Sequence, residues 1–295
     1  MNSIHSNQFL SPKEIAGQFS AGAIFKGNMT TLRFGIYALM GGAFIALGGL
    51  LSLLVAGGMP GIAAANPGLV KFVAGAMFPF GLILVVIAGG GLFTSDCAVL
   101  PFAYWNKEIS KRSILKIATI GYFANFVGAV LVAWLLAVQT GTLTSDPWRS
   151  AAILLAENKT QASFLTVFAK GIGANLLVCM GVWMAYASKD ITGKVIVIWV
   201  PVMAFVALGW EHSIANMFFI PLAMMMDANI TIYDFVVANL IPATLGNIVG
   251  GMCMVALPYH YLFRSPSEMQ PKSAKKIEKL INQESDNKKM SARLN

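Results

Sequence analysis

Apolar residues in this chain gather into long runs that exclude Asp, Glu, Lys and Arg. Such runs cover 34–70, 72–95, 117–145 and 235–263. A membrane-crossing helix needs about 20 mostly apolar residues, so each run is long enough to span. The first also holds a Gly/Pro-rich loop near 59–67. The run 171–188 is shorter and needs its preceding turns to cross, and 195–210 is interrupted by Glu211 before 212–226 resumes it. The pattern predicts six crossings.

Composition agrees: 57% of residues are hydrophobic and 12% charged, against about 25% charged in soluble domains. That excludes a disordered chain, a nucleic-acid module and a disulfide-stapled scaffold. It implies an all-α membrane protein embedded in a lipid bilayer. Residues 1–30 lack the continuous apolar core of a cleavable signal peptide. Cys97, Cys179 and Cys253 lie inside apolar stretches and are odd in number, as expected of packed free thiols.

The 21 basic residues orient the spans. With both termini on one side, segments 1–33, 104–116, 189–194 and 264–295 carry 17 of them, and the opposite loops carry four. Lys and Arg collect on the cytoplasmic side, so both termini are expected there, in the cell (inner) membrane. Three regions follow: a cytoplasmic N-terminal segment 1–33, a transmembrane domain 34–263 and a basic tail 264–295. Ser11-Pro12-Lys13-Glu14 reads as a capping box, and Ile15, Phe19 and Ala23 follow at four-residue spacing. This predicts a short amphipathic helix lying on the inner interface as an anchor. The tail is expected to be solvated, touching anionic lipid at most.

The halves of the chain echo each other. Asn125-Phe126-Val127-Gly128 matches Asn247-Ile248-Val249-Gly250 at an offset of 122. Near that offset, Gly89-Gly90-Gly91 in span two and Gly209-Trp210-Glu211-His212 in span five both interrupt a crossing. Three crossings per half make the repeat inverted. Broken helices survive at membrane depth only where they are buried or line a cavity, and paired breaks point to a midplane site. Ionisable groups there are functional candidates, which singles out Asp96, Glu211 and His212. His212 is the one histidine of three deep in a span, so a bis-histidine haem has no second ligand. No metal or cofactor is expected.

Trp210-Glu211-His212-Ser213-Ile214-Ala215-Asn216-Met217, together with Leu92-Phe93-Thr94 and Asn239-Leu240-Ile241-Pro242-Ala243-Thr244-Leu245-Gly246-Asn247, resembles the formate/nitrite transporter family. The resemblance runs from about residue 10 to residue 263. It implies an aquaporin-like six-helix protomer with broken helices two and five, assembled as a homopentamer with one pore per protomer. The implied cargo is a small anion: formate first, nitrite second, hydrosulfide or lactate as alternatives. By motif, His212 is the central histidine, Thr94 lies opposite, and Asn247 is the span-six asparagine near it. Lys159 and Asn175 match the outer-vestibule lysine and the asparagine below it. Leu92, Phe93 and Val178 match an inner constriction, and Phe78, Leu82 and Phe205 an outer one. Glu211 and Asn216 are structural at the break, Glu211 through backbone hydrogen bonds.

The chain departs from that pattern in places. Gly91 stands where many members carry Glu or Asp. Trp210 replaces the usual Phe or Tyr and is expected to narrow the route, and Lys170 is expected to snorkel. The link from Met226 to Phe235 is short, as in lactate-type members. The residues leave open whether His212 donates a hydrogen bond or a proton. An aquaporin-type solute channel would need paired Asn-Pro-Ala, and the chain's one Asn-Pro is Asn66-Pro67-Gly68. An enzyme would need a metal cluster or a working pair of carboxylates, for which Glu211 and Asp96 are the candidates.

Overall fold

A computed structural model describes residues 9–263; the expectations for the basic tail fall outside them. The described chain is helical throughout. α1 (Pro12–Phe19) and α2 (Ala21–Gly27) precede α3 (Thr31–Gly57). Span two is α4 (Pro67–Gly89), a break, and α5 (Phe93–Trp105). Then come α6 (Lys111–Val138), the outer helix α7 (Trp148–Thr160) and α8 (Phe164–Ala187). Span five is α9 (Ile191–Ala207), a break, and α10 (Ser213–Met225), and α11 (Asp234–Phe263) closes the chain. Five helices are individually long and apolar enough to cross a membrane; the halves α9 and α10 are consistent with a sixth crossing. The Gly/Pro-rich loop contains a short helix, Pro60–Ala65.

Local chemistry sets the helix ends. Thr30, Ser110, Ser163 and Asp190 each accept the backbone N–H three residues on, satisfying a donor that a helix start leaves open. Both breaks begin at a glycine in the left-handed region, Gly89 at φ +96° and Gly209 at φ +68°. Residues with a Cβ adopt that conformation at a cost, so glycine ends a helix there. The last turn of α4, Leu84–Gly89, is π-helical, a local widening common at functional sites.

The two halves repeat in space as well as in sequence. A Cβ on Gly128 would lie 2.1 Å from the Leu39 carbonyl oxygen, and one on Gly250 2.4 Å from that of Ile172. These glycines thus let α6 close on α3 and α11 close on α8. Tyr122 and Thr244, themselves 122 residues apart, share a hydroxyl hydrogen bond of 2.9 Å. A contact between residues at the repeat offset is consistent with an inverted repeat.

The N-terminal helices differ from the expectation. The Glu14 carboxylate does accept from the Ser11 N–H at 2.8 Å and its hydroxyl at 2.6 Å. The apolar stripe Ile15, Phe19 and Ala23, however, is buried against the protein rather than turned to lipid. The Phe19 ring lies 4.9 Å from Trp183, 5.5 Å from Phe102 and 5.8 Å from Tyr186. Aromatic surface on α5 and α8 buries the stripe. Cys97 and Cys179 are buried and Cys253 half-buried, all as free thiols.

Candidate functional site

The second break places His212 at the N-cap of α10. Its Nδ1 accepts the Ala215 N–H at 3.1 Å, and its Nε2 lies 2.9 Å from Thr94 Oγ1. A neutral imidazole that accepts at Nδ1 carries its proton at Nε2. The geometry therefore describes a neutral histidine whose Nε2–H points at Thr94. The Thr94 carbonyl is held by Asn175 Nδ2 at 3.0 Å and by the Cys179 thiol at 3.4 Å. Asn175 also donates to the Asn247 carbonyl at 2.6 Å, and its own Oδ1 has no hydrogen-bond partner.

Asn247 makes no hydrogen bond to the imidazole. It grips the backbone on both sides of it: Oδ1 accepts the Ser213 N–H at 2.8 Å and Nδ2 donates to the Glu211 carbonyl at 2.9 Å. Orphan peptide groups at a broken helix are thereby satisfied without water.

Glu211 departs from its expected role. Its carbonyl does serve the backbone, but its carboxylate pairs with Lys159 at 3.0 Å and accepts from Asn216 at 2.7 Å and Asn239 at 3.3 Å. Asn216 also donates to Asn239 Oδ1 at 2.7 Å, and Asn239 to the Lys159 carbonyl at 2.9 Å. Lys159 is 9% exposed, with Nζ 6.0 Å from the Phe219 ring centre. It is a paired, buried cation. At the other break Asp96, in the first turn of α5, pairs with Lys26 of α2.

Apolar side chains pack around His212. Phe78 and Phe205 meet edge-on with centres 5.8 Å apart, and Phe205 stacks on His212 at 5.8 Å. Phe219 lies 6.3 Å from Phe78, and Leu82 is buried beside them on α4. Towards the termini stand buried Leu92 and Val178. Phe93 packs on Tyr122 at 4.8 Å, and its N–H is held by Asn125. Trp210 fills the groove over Gly173, and Lys170 is half-buried on α8. Below Leu92 lies a cavity of about 360 Å³ floored by α2.

Three residues belong to this constellation that the sequence does not single out: Asn239, Phe219 and Lys26. Asn239 heads the motif that ends in Asn247. Lys26 was findable because a deep carboxylate such as Asp96 requires a cation. Phe219 carries no signal that separates it from its apolar neighbours. Among the described residues no cluster of His, Cys, Asp and Glu is arranged to hold a metal.

The family model described as "Formate/nitrite transporter" matches residues 13–261. The chain is 44% identical over 271 residues to a probable formate transporter of Methanothermobacter thermautotrophicus, covering 87% of this chain and 98% of the relative. It is 38% identical over 251 residues to the formate channel BtFdhC of Bacillus thuringiensis, covering 85% and 95%. Among solved structures it resembles an FNT family ion channel, with a TM-score of 0.77 and 31% identity over 84% of this chain and 98% of that one. A pentameric formate channel with formate bound gives 0.70 and 31%, over 80% and 98%.

Proposed function

This chain belongs to the formate/nitrite transporter family, and from that premise we propose that it carries formate across the cell membrane through a pore in each protomer of a homopentamer. Both termini face the cytoplasm, the pore is the region 34–263 between the N-terminal segment and the basic tail, and transport uses no cofactor. The named relatives support formate, and the pentameric neighbour supports the assembly. The lysine and arginine distribution, 17 against four, supports the orientation.

One observation carries the mechanism: the His212 Nε2–H is directed at Thr94 beside the Phe78–Phe205 pair, and we read Leu92 as the constriction on its other side. A bare anion in so apolar a passage meets a desolvation cost of tens of kcal/mol. Desolvation also raises a carboxylate's proton affinity, so formate in the vestibule takes a proton from hydronium of the bulk solvent, leaving water, and crosses as formic acid. His212 then offers one hydrogen bond from Nε2, and Thr94 replaces a second lost water contact. Protonating Nδ1 would set two donors face to face at Ala215, which favours the hydrogen-bond role over full proton donation. Lys159 draws the anion towards the barrier only as far as Glu211 leaves its field uncancelled.

The test is flux of formate, nitrite, hydrosulfide and lactate into proteoliposomes between about pH 5 and pH 8, for wild type and His212→Phe. Formate is expected to move fastest, with flux rising as pH falls, and the variant to lose most of it. A variant matching wild type at every pH removes the histidine from the mechanism. Another anion outrunning formate reassigns the cargo.

A further inference from the structure

Phe219 of α10 occupies a position that the transport reading leaves without a task. Its ring centre lies 6.3 Å from that of Phe78, with 32° between the planes, and 5.3 Å from that of Phe218. Ring centres within about 7 Å of each other belong to interacting aromatic pairs. The tip of the ring meets α3: a Cβ on Gly49 would come within 3.2 Å of Phe219 Cζ and within 2.9 Å of the Phe218 ring. The preceding residue, Gly48, serves Phe78 itself, because a Cβ there would sit 2.5 Å from the Phe78 carbonyl oxygen. Adjacent glycines of α3 thus brace the backbone of Phe78 and the ring beside it.

Phe78 therefore has two ring neighbours with different surroundings. Phe205 meets it edge-on at 5.8 Å and in turn stacks on His212, which ties that pair to the histidine. Phe219 is buried and anchored on α3 instead. A close-packed interior transmits a displacement rather than absorbing it. With a full ring at 219, Phe78 has no room to turn away from Phe205. A smaller side chain there would leave a void, which the surrounding side chains fill only in part.

We infer that Phe219 is a positioning residue for cargo size: braced by Gly49, it holds Phe78 against Phe205 and so limits the carbon substituent that a carboxylic acid can carry past that pair. The inference rests on the transport reading above, and it does not require Phe219 to touch the cargo. Formate bears only hydrogen on its carboxyl carbon, whereas acetate and propionate add one and two carbons. One methylene in an apolar pocket decides between substrates by roughly 10–200-fold, so a small displacement of Phe78 is enough to change which acids pass.

Proteoliposomes with wild type, Phe219→Leu or Phe219→Ala test this, with formate, acetate and propionate as probes at one pH. The readout is the ratio of propionate to formate permeability, which does not depend on how much protein has assembled. It is expected to rise with the volume removed, roughly threefold in Phe219→Leu and about tenfold in Phe219→Ala, the low end of what one methylene decides. Gly49→Ala works in the opposite sense, since its methyl crowds both rings from α3, and it should bring the ratio below wild type; it serves should the truncations fail to assemble. In a Phe78→Ala background, truncation at 219 should change the ratio no further. A further rise of the same size there overturns a role exercised through Phe78. Phe219 also lies 6.0 Å from Lys159 Nζ. An effect through that charge would shift half-saturation and salt dependence for all three acids alike and leave the ratio unchanged, which likewise overturns the inference. A wild-type protein that carries no formate overturns the transport reading instead, and the two failures are thereby distinct.

Discussion

Asn125 and Asn247, 122 residues apart, perform the same task at the two breaks. Asn125 Oδ1 accepts the Phe93 N–H at 2.9 Å while its Nδ2 donates to the Gly91 carbonyl at 2.8 Å. Asn247 repeats this on Ser213 and Glu211. Each also donates to a carbonyl of the neighbouring span, Ala38 at 2.6 Å and Gly171 at 2.9 Å. One carboxamide thus satisfies two peptide groups that the break strands in a low-dielectric interior and ties them to a third on the neighbouring span, and it fixes the direction in which each half-helix starts.

Replacing either asparagine by alanine should therefore destabilise the protein by several kcal/mol, at about 1–3 kcal/mol for each buried group left unpartnered. Thermal unfolding in detergent checks this, with Asn125→Ala and Asn247→Ala expected to fall by similar amounts. Function separates them. Asn247→Ala frees the backbone flanking His212 and should alter the pH–flux curve, whereas Asn125→Ala should lower flux without changing the shape of that curve.

Much of this was legible in the sequence. Charge-free runs gave the spans, Gly89 and Gly209 marked the breaks, and the Asn-x-x-Gly repeat located both clasps. What it concealed was long-range pairing. The partners of Glu211 lie on α7 and α11, and hydropathy has no means of matching a lysine in one helix to an acid 52 residues on. The docking of α1 and α2 was hidden for a related reason: an apolar stripe reports that a helix face is buried, and not whether lipid or protein buries it.

The Lys159–Glu211 pair is buried on both sides, and removing one member strands the other charge at a cost of about 3–5 kcal/mol. Lys159→Gln and Glu211→Gln should each lower the unfolding temperature sharply, and the double variant should recover a substantial part. A double-mutant cycle measures the coupling. Additive losses would mean that the two groups do not depend on each other.

The caps outside the membrane predict a pH response of their own. The Ser11 hydroxyl donating to Glu14, and the Gly193 N–H donating to Asp190, hold both carboxyls below the ordinary carboxylate range. A depressed folded-state pKa stabilises above the unfolded value, and that contribution is lost as pH falls through the folded one. Amide exchange near residues 11–15 and 190–194 should therefore quicken only below about pH 4. Between about pH 5 and pH 8 these caps stay charged, so a change in flux there belongs to protonation of the cargo.

The two breaks differ in where they keep their acid. By the Asn125/Asn247 correspondence Gly91 matches Glu211, and Asp96 matches Asn216. The second half holds its carboxylate in the break itself and an amide in the helix that follows; the first half holds glycine in the break and the carboxylate in the helix. Lys26 is consequently tied to the body of α5 rather than to the 90–92 segment. Asp96→Asn should strand Lys26 and loosen α2, seen as faster amide exchange at residues 21–27, while the Lys159 network and the 90–92 segment stay protected. Moving the acid back, in Gly91→Glu/Asp96→Asn, meets a steric obstacle, since a Cβ at 91 would sit 3.0 Å from Tyr37 Cδ1 and 3.2 Å from Ala38 Cα. That double variant should re-dock α2 only with Tyr37 cut back to alanine. If it re-docks without that change, crowding by the Tyr37 ring is not what keeps glycine at 91.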